Sequence, residues 1–166
     1  MNILFLHGLE SKLSPEKRVI LEKYGNVIAP ELDYKSNPNM IQHLYDAYQT
    51  QDINAIIGSS MGGFAGYHLA NSLSICALLF NPALPYRNTI EQIVPVSIPI
   101  NQSLYMRIVL GGQDTVIKAK DNMDFFAQNV AAKTDYAITI KSDLGHQIPV
   151  DVFEEETKAF FKALCY

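Results

Sequence analysis

Two cysteines, Cys76 and Cys165, stand far apart in a chain of 166 residues. Cys76 falls inside the apolar run 75–80 and reads as a small buried hydrophobe, while Cys165 is next to last and reads as exposed or loosely held. No disulfide is expected, and none is needed, because a chain of this length can bury roughly 70% of its unfolded surface. No apolar run approaches the roughly 20 residues that a membrane span requires. The apolar start, Ile3 to Leu6, is too short for a secretory signal and has no positively charged stretch before it. Charge is scarce as well. Asp, Glu, Lys and Arg make up 18% of the chain, against roughly 25% in an ordinary soluble domain. The net charge of −4 comes with no cluster of Lys and Arg, which argues against nucleic acid as a partner. These absences leave one soluble domain, residues 1–166, cytoplasmic by default; nothing in them sets the oligomeric state.

Apolar residues make up 48% of the chain. A parallel sheet covered on both faces has strands that read as apolar runs with few charges. Such runs are present at 2–6, 27–29, 53–57, 75–80, 107–110 and 136–140. Amphipathic stretches separate them. Residues 15–24 predict a helix with Ser14 as N-cap, Pro15 in the first turn and Gly25 just beyond the end. Residues 39–50 carry Ile41, Leu44, Tyr45 and Tyr48 at helical spacing. Further helices are expected at 61–73, at 118–128 with Ala119, Met123 and Phe126 inward, and at 152–164 with Phe153, Thr157, Phe160, Phe161 and Leu164 on one stripe. Strand followed by helix, repeated, predicts an α/β fold with a parallel sheet of about six strands and the first strand internal. One stretch breaks the alternation. Residues 82–105 hold Pro82, Pro85, Pro95 and Pro99, with a short helical patch near 89–94. It can be a lid or acyl pocket at the ligand side of the sheet, or an ordinary long connection over a sheet edge.

The strongest motif is Gly58-Ser59-Ser60-Met61-Gly62, a G-x-S-x-G string between an expected strand and an expected helix. Only Ser60 has glycine at both −2 and +2, so it is the candidate nucleophile. The glycines are needed because the turn is tight and side chains there would strike the neighbouring strand or helix. The helix that follows points its positive dipole end at the place where an oxyanion would form. The plainer reading is a flexible loop or an anion-binding turn; a phosphate-binding loop is excluded because no G-K-[S/T] ending follows.

A serine needs a base. His146 follows the last strand and would emerge at the same sheet end as Ser60. His43 and His68 fall within expected helices, where packing or solvent contact suits them, and His68 is two turns from Ser60. Asp114, after a strand and Gly111-Gly112-Gln113, is the candidate orienting carboxylate; its rivals are Asp33 and Asp143. The order Ser60, Asp114, His146 is the order in which acid and base follow a serine on a nucleophile elbow of this kind. Two backbone N–H groups are expected to form an oxyanion hole, those of Met61 and Leu9, with Gly8 allowing close approach and His7 supporting the loop. As a metal ligand His7 has no second donor at suitable spacing, and no metal or cofactor is required.

Phe5-Leu6-His7-Gly8-Leu9-Glu10-Ser11, Ile57 to Phe64 around the elbow, Asn81-Pro82-Ala83, the Gly-Gln-Asp run at 112–114 and Gly145-His146 together resemble the small bacterial YqiA/YcfP-type α/β-hydrolases, over nearly the whole chain. The resemblance implies a minimal α/β-hydrolase fold with helices on both faces and no large cap domain. It implies esterase activity on short or medium acyl esters, or on acyl-CoA thioesters. The family's triad falls on Ser60, Asp114 and His146, and Asn81-Pro82 would shape the pocket wall. Gln147-Ile148-Pro149 stands where relatives often carry more aromatic or glycine residues beside the histidine. Acyl transfer by the same nucleophile and a non-catalytic binding protein on the same fold are the alternatives. A nucleotide-binding domain is disfavoured, since no G-x-G-x-x-G follows the first strand.

Overall fold

The computed structural model describes residues 1–85, 92–99, 101–129 and 135–164. Six strands alternate with five helices: β1 (Asn2–Leu6), α1 (Pro15–Glu22), β2 (Asn26–Ile28), α2 (Met40–Tyr48), β3 (Ala55–Ser59), α3 (Met61–Leu73), β4 (Cys76–Phe80), β5 (Tyr105–Gly111), α4 (Ala119–Asn129), β6 (Asp135–Lys141) and α5 (Val150–Leu164). All strand pairs are parallel, in the order β2-β1-β3-β4-β5-β6, so the first strand is internal. Among the described residues no cap domain is inserted and no helix is long and apolar enough to cross a membrane.

The sheet divides two cores. On one face Ile41, Leu44, Phe64, Leu69 and Phe126 of α2, α3 and α4 cover Leu4, Leu6, Ile56, Leu79 and Ile108. On the other, Ile20 and Leu21 of α1 and Phe153, Phe160 and Phe161 of α5 cover Ile3, Phe5, Ile57, Leu78 and Val109. Alternate residues of each strand thus enter opposite cores, which is why the strands read as unbroken apolar runs. Cys76 is half-buried beside the second core, and Cys165 lies outside the described residues.

Some element ends differ from expectation. α1 ends at Glu22, and its C-cap Lys23 is right-handed, so Gly25 is no left-handed cap. Gly25 serves close approach instead: a Cβ there would lie 2.3 Å from the Met1 carbonyl oxygen. β3 runs 55–59 and not 53–57, carrying extended backbone through Gly58 into Ser59. In α4 the buried face holds Asn122 and Phe126, while Met123 is 38% exposed. The helix presents positions 119, 122 and 126 inward, a phase that places Met123 outside. The part of the expected helical patch at 92–94 is irregular, and the rest, 89–91, lies outside the described residues.

The irregular stretches 92–99 and 101–103 are stapled down by polar contacts. Gln92 donates to the carbonyls of Tyr34 and Asn37 at 2.8 and 2.9 Å, and Ile93 N–H to that of Pro38 at 2.8 Å. Asn101 donates to the Ser72 carbonyl, and Ser103 donates through its N–H to Asn71 Oδ1 and through its hydroxyl to the Ile75 carbonyl. These fix them against the 34–38 loop and the far half of α3. A cavity of about 350 Å³ lies under them, lined by Tyr67, Val94, Ile98, Pro99, Phe125 and Tyr136 among others. Tyr67 is seven residues into α3, so this cavity lies about 10 Å or more along that helix from Ser60.

α5 is locked to the sheet by charge as well as by aromatic packing. Glu156 is 2% exposed and takes Arg107 of β5 at 2.6 Å and Lys141 of β6 at 3.0 Å. Removing one member of a buried pair strands the other charges. Glu156→Ala is expected to destabilise the fold by about 3 kcal/mol, whereas Glu155→Ala, in an exposed pair with Lys141, costs under about 1 kcal/mol. Urea unfolding of the two variants checks the contrast; equal effects would show that the buried cluster does not hold α5.

Candidate active site

The strands end in step. Leu6 pairs with Gly58, Ser59 with Phe80, Phe80 with Val109 and Gly111 with Lys141. The loops that follow β1, β3, β4, β5 and β6 therefore leave the sheet at one edge. Those loops carry His7 to Leu9, Ser60, Asn81 to Ala83, Asp114 and His146.

Ser60 occupies the N-cap of α3 with φ 54 and ψ −116, left-handed backbone that side chains other than glycine rarely adopt. Ser14 shows what a serine ordinarily does at this position. At φ −71 its side chain accepts from Lys17 N–H and caps α1. Ser60 makes no side-chain cap bond; the strained turn leaves its Oγ unspent on α3. The backbone is clasped on both sides: Ser60 N–H donates to Phe80 O at 2.9 Å, and Ser60 O accepts from Ala83 N–H at 3.0 Å.

Glycines make the turn possible. A Cβ on Gly58 would sit 2.3 Å from Gly62 O, and one on Gly62 would sit 2.0 Å from Leu6 O and 2.5 Å from His7 O. Neither position has room for a methyl group. A Cβ on Gly8 would lie 3.3 Å from Ser60 Cβ and 3.9 Å from Ser60 Oγ, so the loop after β1 rests directly against the elbow.

Asp114 and His146 meet as a pair, with Nδ1 of His146 2.8 Å from Oδ2 of Asp114. A carboxylate oxygen only accepts, so the shared proton belongs to Nδ1, and in the neutral ring Nε2 is then the acceptor. The Asp114 side chain is fully buried and the His146 side chain 20% exposed. The other carboxylate oxygen, Oδ1, accepts from Val116 N–H and Ile117 N–H, each at 2.8 Å. The aspartate thus uses one oxygen to hold its own turn and the other to hold the imidazole. Both rivals are exposed turn residues: Asp33 accepts from the N–H groups of Lys35 and Ser36, and Asp143 takes the Ser142 hydroxyl.

His7 is buried and its ring is read on both sides. Leu32 N–H donates to Nε2 at 2.9 Å, which leaves Nδ1 as the protonated nitrogen, and that nitrogen lies 2.6 Å from the Gly8 carbonyl oxygen. In a trans peptide the carbonyl and the next N–H point in opposite directions. Fixing Gly8 O therefore aims the Leu9 N–H. The Met61 N–H belongs to the first turn of α3, whose donors have no partner within the helix. His43 is exposed, and His68 packs against Phe64 and Tyr67. Among the described residues no three of His, Cys, Asp and Glu come together in a way that could hold a metal ion.

The class of fold is that of the α/β-hydrolases. Similar solved structures include a Bacillus cereus carboxylesterase (TM-score 0.65, 16% identity, covering 97% of this chain and 87% of that one). Others are mouse alpha/beta hydrolase domain-containing protein 10 (0.67, 13%, 98% and 90%) and the fluorophosphonate-binding serine hydrolase F of Staphylococcus aureus (0.64, 17%, 99% and 83%). No curated protein sequence matches the chain. Residues 2–108 match the model of the uncharacterised protein family UPF0227, and the chain belongs to that family.

The elbow contacts predict two opposite glycine substitutions. Gly62→Ala is expected to cost more than about 4 kcal/mol, the range of substitutions with an identifiable clash. Gly145→Ala, with nothing within 4 Å of the added Cβ, should stay within about 0.5 kcal/mol of the parent. Thermal and urea unfolding read both; a tolerated Gly62→Ala would contradict the close approach of α3 to β1. For His7→Ala, leaving Leu32 N–H unpaired in a buried site predicts a loss of about 2 kcal/mol, measured in the same way.

Proposed function

We propose that the protein is a serine hydrolase that cleaves carboxylic esters of short or medium acyl chains through an acyl-enzyme. The observation that carries this reading is the Asp114–His146 contact of 2.8 Å at the sheet edge where Ser60 stands on its left-handed elbow. The names borne by structures of the same fold, a carboxylesterase and a fluorophosphonate-binding serine hydrolase, are in keeping with it.

In this mechanism Ser60 Oγ attacks the acyl carbonyl carbon as Nε2 of His146 takes its proton. Asp114 holds the ring in the tautomer that leaves Nε2 free and stabilises the imidazolium that forms. The oxyanion of the tetrahedral intermediate accepts from the N–H groups of Leu9 and Met61, each such donor contributing about 3 kcal/mol of transition-state stabilisation. The intermediate collapses as His146 returns the proton to the departing alcohol. Water then attacks the acyl-serine by the same route and releases the acid. The substrate is a small acyl ester, and the chemistry runs on the chain's own side chains.

Incubation with a fluorophosphonate followed by intact-mass measurement tests this. The parent chain should gain one adduct, with loss of fluoride, and Ser60→Ala none. Asp114→Asn should label at least about a thousandfold more slowly, since an amide in place of the carboxylate favours the wrong imidazole tautomer. A folded parent that gains no adduct would overturn the proposal.

A further inference from the structure

The end of β4 does more than line the cleft. Residues 80–83 touch every loop that carries a member of the proposed triad. Phe80 O and Ala83 N–H grip the two backbone ends of Ser60. Between them, Asn81 sits at φ 40 and is 1% exposed. Its backbone N–H donates to Val109 O of β5 at 2.9 Å. Its Oδ1 accepts from Gly111 N–H at 2.7 Å, at the root of the loop that carries Asp114. Its Nδ2 donates to Gly145 O at 3.0 Å and to His146 O at 3.3 Å. One carboxamide therefore joins the acid loop to the base loop through the backbone of His146 itself.

The two loops are already in tight contact there. A Cβ on Gly111 would lie 2.5 Å from Leu144 O and 2.7 Å from Gly145 O, and Gln113 N–H donates to Leu144 O at 3.0 Å. What Asn81 adds is the link from this contact to β4, and so to the backbone that grips Ser60. The chemistry of the position is narrow. It needs an acceptor for one N–H and donors for two carbonyls on a short stem, and a residue that tolerates left-handed backbone. Asparagine meets all of these; aspartate has no donor, and leucine has neither group.

We infer that Asn81 is a positioning residue for the Asp114–His146 pair, setting the imidazole in register with Ser60. This rests on the hydrolase reading above. Asn81 touches no reacting atom; it acts through the backbones of Gly111, Gly145 and His146. A misplacement near 1 Å can cost about a hundredfold in rate.

The test uses the full chain and two substitutions. Asn81→Gly keeps the backbone free to hold φ 40 and deletes the three side-chain bonds. Asn81→Asp keeps the shape and the acceptor for Gly111 but sets an oxygen against two carbonyl oxygens. Fluorophosphonate inactivation gives a maximal rate constant and a half-saturating concentration for each, and proton NMR follows the downfield resonance of His146 Nδ1–H. If the parent gains no Ser60 adduct, the hydrolase reading falls first and this inference falls with it. With a reactive parent, Asn81→Gly is expected to inactivate about 10- to 100-fold more slowly. Half-saturation should stay within about twofold, the His146 resonance should be lost or shifted, and cooperative unfolding should be kept. A maximal rate within about twofold of the parent, or a slower rate with the resonance unchanged, would overturn the inference. If Asn81→Gly does not fold, Asn81→Asp is read against the same outcomes.

Discussion

The structure depends on how closely α3 approaches β1 and β3 at their C-terminal ends. That contact is backbone on backbone. Gly62 has its α-carbon where an added Cβ would fall 2.0 Å from Leu6 O, and Gly58 faces Gly62 O with the same lack of room. Because the helix starts this close to the sheet, the chain must turn within a single residue, and Ser60 takes the left-handed conformation that makes the turn. Everything else at this edge is arranged around that residue. The β4 end grips its backbone, and the loop after β1 lies against its side chain.

The two halves of the site are built on different physics. The elbow is held by exclusion of side-chain volume, so its geometry is set by what is missing. Asp114 and His146, the proposed acid and base, are held by directed hydrogen bonds: Asp114 to its own turn and to His146, and Asn81 to both loops. Steric closure is insensitive to pH and salt. The polar half lies at the sheet edge, yet the Asp114 carboxylate that anchors it is buried, where its hydrogen bonds are stronger than in water.

Much of this was legible in the chain. The unbroken apolar runs announced a sheet covered on both faces, and G-x-S-x-G between a run and an amphipathic stretch located the elbow. The loops bearing Asp114 and His146 could be placed at the sheet's C-terminal edge from their position after strands. What escaped was whatever depends on partners distant in sequence. Asn81 was read with Pro82 only as shaping the pocket wall, because its side-chain hydrogen-bond partners lie 30 to 65 residues away. The phase of α4 was missed for a related reason. Periodicity alone ranks Met123 above Asn122, and the packing of α4 over β5 and β6 decides otherwise. Gly25 was read as a helix cap because local rules know nothing of Met1 lying against it.

Four non-glycine residues among those described have left-handed backbone: Glu10, Ser60, Ser74 and Asn81. Ser74 closes the C-terminus of α3. The other three sit at the edge where the proposed chemistry takes place. Among the described residues, left-handed backbone is therefore concentrated at this rim. Glycine would relieve the strain at that rim, but at Ser60 it would remove the hydroxyl and at Asn81 three side-chain hydrogen bonds. Under the proposed function, the rim is where robustness and reactivity compete for the same residues.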